Sequence, residues 1–197
     1  KKDGKKRPLG IPTVNDRIAQ EVVRARLEPE LEPKFVTDSY GFRPGKSALD
    51  AVAVCRERSW ELNWVLDVDI EKFFDTLDHE LLMKAVDRHC QERWCALYIE
   101  RWLKAPIMHQ TGTLESSNQG TPQGGVISPL LANLYLHYAF DKWMEREHSQ
   151  TRFIRYADDI VIHCRTEQGA QNLKAALTER LRECGLKLHP EKTQIVY

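Results

Sequence analysis

The sequence predicts an α+β fold with an antiparallel centre. Segments of helical periodicity are interspersed with short runs of strand alternation, in mixed order. The sharpest local signal is a tight hairpin over residues 152–164. A chain of 197 residues, 42% apolar, has enough material for one sizeable core and little more than one domain.

Lys1 to Pro12 reads as a hairpin around the Asp3-Gly4 turn signal. Asp16 to Leu31 carries Ile18, Val22, Val23, Leu27 and Leu31 at helical spacing, with Asn15 or Asp16 as cap and Pro33 beyond the end. Tyr40 to Gly45 is a loop. Ser47 then caps a helix through Ala48, Leu49, Val52 and Ala53. Trp64 to Ile70 is a strand whose Leu66, Val68 and Ile70 face one way while Val65, Asp67 and Asp69 face the other. One helix is expected from about His79 to Leu103, and a second hairpin over residues 107–114. Asn118 to Gly125 is loop. Ser128-Pro129 opens a long helix to about Glu147, with Ser128 as its cap. In the hairpin at 152–164, Asp158 and Asp159 form the two-residue turn. Glu167 to Cys184 is an amphipathic helix closed by Gly185, and Leu186 to Tyr197 reads as a final strand pair.

Twenty-nine basic and twenty-nine acidic residues cancel, which excludes a basic arm or an acidic tail. Charge is nevertheless uneven: residues 1–46 hold eleven basic and seven acidic residues, and residues 65–92 hold three and eight. Local asymmetry of this kind sets the field that a partner feels. No apolar run approaches the ~20 residues of a membrane span, and the Lys-rich start does not read as a signal peptide. Five scattered cysteines without a CxxC pair fit reduced thiols in the cytosol and argue against a zinc site.

The carboxylates carry the chemistry. Asp67 and Asp69 share a strand face, and Asp158 and Asp159 sit on a hairpin tip. Brought together, four acids would raise one another's pKa. A solvated Asp-Asp turn is the plain alternative. Against it, hairpin turns favour Asn-Gly or Asp-Gly, so Asp-Asp implies strain of the kind that marks function, and the flanking apolar runs make this a core hairpin. Clustered carboxylates suit Mg²⁺. Two such ions about 3.5–4 Å apart can clamp an in-line phosphoryl displacement.

Several blocks then carry a resemblance. Tyr156-Ala157-Asp158-Asp159 looks like the catalytic box of reverse transcriptases. Arg7 to Pro12 with Asp16-Arg17, and Tyr40 to Gly45, are similar to blocks of group II intron-type reverse transcriptases. So are Asp69 to Asp75 with Asp78-His79, Gln119 to Gly125 with Ser128 to Asn133, and Gly185-Leu186 with Glu191 to Thr193. The blocks stand in family order along nearly the whole chain.

The resemblance implies a polymerase palm, an antiparallel sheet backed by helices. Residues 1–46 would be partial fingers and 47–197 mainly palm. The thumb, maturase and endonuclease regions would lie outside this chain. The implied activity is RNA-directed DNA synthesis on an RNA template from a DNA or RNA primer and dNTPs, with group II intron RNA as a further partner. Two Mg²⁺ ions, replaceable by Mn²⁺, would be held by Asp69, Ile70, Asp158 and Asp159, with Asp67 structural. Phe74 would exclude a 2′-hydroxyl, with plain core as its alternative, and Gln123 would line the incoming nucleotide. Arg7 and Lys1 would contact its triphosphate, since a guanidinium matches phosphate oxygens at two points. Lys192 is a candidate general acid, or else an exposed lysine. Arg43 either touches template phosphate or anchors its loop, and Tyr156 would lie at the template–primer. A bacterial cytoplasmic setting and a homodimer are the remaining expectations. CRISPR-associated and other bacterial reverse transcriptases share such blocks, and an RNA-binding maturase without polymerase activity is the rival reading.

Overall fold

The computed structural model describes residues 10–109 and 111–197. The hairpin expected over 1–12 falls almost wholly outside the described residues, as do Lys1 and Arg7. The architecture is α+β: a four-stranded antiparallel sheet with helices on both faces, and a separate two-stranded hairpin.

Helix α1 (Val14–Leu31) starts two residues earlier than the spacing suggests. Its cap is Thr13, whose hydroxyl accepts from the Asp16 amide while Asp16 supplies the first-turn carboxylate. Helix α2 (Ala48–Glu61) is capped by Ser47, with Asp50 returning the bond to the Ser47 amide. Of its residues only Ala51 is buried; Leu49 and Val52 face outward. Strand β1 (Trp64–Val68) leads to the short helix α3 (Phe73–Thr76).

The single helix expected over 79–103 is two, α4 (His79–His89) and α5 (Arg93–Lys104). Their buried residues explain the break. Leu82, Ala85 and Val86 lie on one stripe, and Cys95, Ile99 and Leu103 on another that starts out of phase, with extended backbone at Cys90 between. Strands β2 (Ile107–Met108) and β3 (Leu114–Glu115) form the expected small hairpin.

Helix α6 (Ser128–Leu136) begins at Ser128 but is not capped by it, because the Ser128 hydroxyl instead donates to the Pro122 carbonyl. The helix runs through a wide π segment at His137–Asp141 into α7 (Lys142–Glu147). Strands β4 (Arg152–Tyr156) and β5 (Asp159–Cys164) pair with Tyr156 opposite Asp159. The turn residues are therefore Ala157 and Asp158, not the two aspartates. The left-handed residue is Ala157, at φ 56°. Helix α8 (Glu167–Glu183) follows and ends at Gly185, φ 68°. The expected final strand pair is instead one strand, β6 (Gln194–Val196), laid on β1, with Leu188 bridging Ile70 nearby.

The strand order is β4-β5-β1-β6. Its register sorts the two faces. Leu66 faces Ile162, Val68 faces Ile160, and Phe153 faces Ile162 across the other ladder. These side chains are buried in one core with α1, α4, α5, α6 and α8. The other face carries Asp67 and Val161, and part of it is covered where Ala51 of α2 and Tyr40 pack on Ile154 of β4.

Candidate active site

The acidic residues meet at one end of the two central strands. Asp67 lies opposite Val161 and Val68 opposite Ile160. Continued by one rung, that register sets Asp69 opposite Asp159, on the face that Asp67 shares. Electrostatics reports the same proximity. The Asp67 carboxyl is raised above its ordinary range, chiefly by burial, and then by the charges of Asp159 and Asp69. Asp158 occupies the turn beside them. The Lys192 ammonium lies 2.9 Å from Asp69 Oδ2, so a cation already faces this cluster. Thr193 Oγ1 accepts from the Asp69 amide and donates to the Asp69 carbonyl, fixing the strand end. Ile70 is buried and held by its bridge to Leu188.

This set fits a divalent cation. Its donors are hard carboxylate oxygens, and Asp69 and Asp159 lie close enough to Asp67 to raise its carboxyl. Among the described residues, however, the oxygens of Asp69, Asp158 and Asp159 are not all within 4.8 Å of one another, so a bound cation would have to draw them in.

Of the nucleotide-side candidates, Phe74 and Gln123 are joined through α3. Lys72 takes a left-handed conformation, φ 48°, and turns the chain out of the strand into α3. Phe73 then enters the core while Phe74 stays half-buried against it, the two rings meeting edge-on at 5.4 Å. The loop at 118–125 docks on α3. The amides of Thr121 and Gly120 donate to the Phe74 and Leu77 carbonyls, both at 2.7 Å. His79 Nε2 lies 2.6 Å from the Gly120 carbonyl oxygen. Gln123 Nε2 donates to Asp75 at 3.1 Å, which ties Gln123 to α3. Gly120 is required here: it has φ 80°, and a Cβ would stand 2.8 Å from the backbone of Phe74 and Asp75.

Two template-side candidates differ. Tyr156 stands across the turn from Asp159, near the exposed Phe42 ring at 6.5 Å. Arg43 is an anchor. Its side chain is only 6% exposed, and its guanidinium donates to Glu32 and to the Val36 and Ser39 carbonyls. It is not placed to reach a template phosphate.

Sequence reasoning missed Arg155, Asp141 and Asn133, which lie beneath the turn. The signal was available: Arg155 occupies an inward strand position, in phase with Phe153. It also passed over Cys90 and Cys95, which come together with Glu92 within 4.8 Å. Burial holds the Cys95 thiol protonated, and Arg26 engages Glu92.

The reverse transcriptase (RNA-dependent DNA polymerase) family model matches residues 1–197. The chain belongs to the reverse transcriptase family. Its relatives include a group II intron-encoded protein and a putative COX1/OXI3 intron 1 protein of Saccharomyces cerevisiae. Protein YkfC of Escherichia coli is 33% identical over 99% of this chain and 61% of its own length. The group II intron-encoded protein LtrA of Lactococcus lactis is 40% identical over 70% of this chain and 23% of its own. The fold is similar to part of the apo telomerase from Candida tropicalis, with a TM-score of 0.66 at 13% identity, covering 90% of this chain and 36% of that one.

Proposed function

We propose that this chain is the palm, with part of the fingers, of an RNA-directed DNA polymerase of the group II intron type. The convergence of Asp69, Asp158 and Asp159 at one end of the central strands supports this most. Residues 1–46 would belong to the fingers and 47–197 mainly to the palm. The substrates would be dNTPs, an RNA template and a DNA or RNA primer, and group II intron RNA would be a partner.

Asp69, Asp158, Asp159 and the Ile70 backbone carbonyl would hold the divalent cations, Mg²⁺ or Mn²⁺. Bound there, the cations would offset charge at the reacting phosphate and ease ionisation of the primer 3′-hydroxyl. Phe74, next in the chain to the Asp75 that holds Gln123, would exclude a 2′-hydroxyl by bulk. Gln123, oriented by Asp75, would line the incoming base or sugar with its amide. Lys192, released from Asp69 when the cations bind, would serve as a proton donor to departing pyrophosphate. Arg7 and Lys1 remain candidates for the triphosphate by resemblance alone. Tyr156 would lie under the primer end. An intact carboxylate set favours catalysis over RNA binding alone.

The test is extension of a DNA primer on an RNA template with Mg²⁺ or Mn²⁺. Incorporation by this chain that is lost in Asp158→Ala/Asp159→Ala supports the reading. Equal incorporation by both contradicts it. Intron RNA binding without any incorporation favours the maturase reading.

A further inference from the structure

We infer that Arg155 is the positioning residue of the metal-holding turn, acting through a buried clamp with Asp141 and Asn133. This rests on the polymerase reading and deepens it.

The Arg155 side chain is fully buried, and so is Asp141. Arg155 Nε and Nη2 donate to the two Asp141 oxygens at 2.8 and 2.6 Å. Nη1 donates to Asn133 Oδ1 at 2.9 Å and to the Ala157 carbonyl at 3.1 Å. Ala157 is the left-handed residue of the turn, immediately before Asp158. One guanidinium thus grips the strained backbone from below. Asn133 uses its other end to donate to the Gly41 carbonyl at 2.7 Å. Gly41 in turn packs on the Ala157 amide so closely that a Cβ there would collide with it. The turn is therefore held from two sides by one connected network.

Stability alone does not account for this arrangement. Arg155 points into the core opposite Ile160, where an apolar side chain would avoid the desolvation of two charges. Replacing a buried ion pair with apolar residues is often neutral or stabilising. Asp141 reaches the site from the π segment, an insertion that carries its own cost and is frequent at functional sites. What the network supplies is a fixed position for the Ala157 carbonyl, and so for the two carboxylates that follow. The bidentate fork sets direction as well as distance.

The test uses two variants. Arg155→Met/Asp141→Leu removes both charges together. Arg155→Lys keeps the charge, but one ammonium cannot hold Asp141, Asn133 and Ala157 at once. Mn²⁺ affinity is read by electron paramagnetic resonance without primer or nucleotide, beside the melting curve and primer–template affinity. The expected result is cooperative melting, primer–template affinity unchanged, and Mn²⁺ binding weakened about tenfold or more. Unchanged Mn²⁺ affinity in a cooperatively melting variant overturns the inference and leaves the polymerase reading standing. So does failure of both variants to fold, which would assign the network to stability. Wild-type chain that binds no Mn²⁺, or binds it equally after Asp158→Ala/Asp159→Ala, overturns the metal-site reading itself.

Discussion

Lys192 and Asp69 form an oppositely charged pair at the carboxylate cluster, 2.9 Å apart. If the lysine donates a proton to the leaving group, Lys192→Gln slows single-turnover incorporation by roughly 10²-fold, with primer–template affinity unchanged. Phe74→Ala is expected to raise the ratio of ribonucleotide to deoxyribonucleotide incorporation, read by competition on one template. An unchanged ratio would return Phe74 to the core, where Phe73 already lies. Asp69, Asp158 and Asp159 were legible in the sequence because strand alternation and a short motif are local patterns. The inward position of Arg155 was also legible from its phase with Phe153, but its role was not, because its partners Asp141 and Asn133 are brought to it by a helix. Arg43 was legible only as two alternatives. Its partners Glu32, Val36 and Ser39 decide for the anchor.

At the scale of elements, the hairpin was located correctly and its turn was displaced by one residue. Alternation fixes which residues face the core, but not which rung closes the ladder. The structure closes it at Tyr156 and Asp159, so Ala157 rather than an aspartate carries the strain. The helix expected over 79–103 failed for a related reason: both halves are amphipathic, and only the phase slip near Cys90 separates them. Two elements offer direct tests. Ser47→Ala removes the α2 cap and is expected to cost about 1 kcal/mol in urea unfolding. Gly120→Ala combines a left-handed backbone with a clash against the Phe74–Asp75 backbone. It is expected to cost at least ~2 kcal/mol and to disturb the loop that carries Gln123.

At the scale of the whole molecule, acid stability follows from buried imidazoles. His137 lies in the core, and burial pushes it down to about 4 despite Asp141 at 3.9 Å, so the imidazole is neutral at pH 7. Burial lowers His163 and His89 as well. The unfolded chain binds a proton at His137 near the ordinary 6.5, and the folded chain only near 4. Stability is therefore intact above about pH 6.5 and falls as pH drops through that window. The His137 part amounts to on the order of 3 kcal/mol in full. Urea unfolding at pH 7 and pH 5 checks this, and His137→Gln should flatten the slope. The α+β class and the antiparallel centre were readable from element order. The covering of both sheet faces was not, because the outward apolar residues of α2 mimic a core stripe. That Asp69, Asp158 and Asp159 form one divalent-cation site is tested most directly by anomalous diffraction from Mn²⁺-soaked crystals of this chain. The account predicts a peak between the end of β1 and the Ala157–Asp158 turn, with Lys192 moved off Asp69. Density only elsewhere, such as at Cys90, Glu92 and Cys95, with the Lys192–Asp69 pair undisturbed, would contradict it.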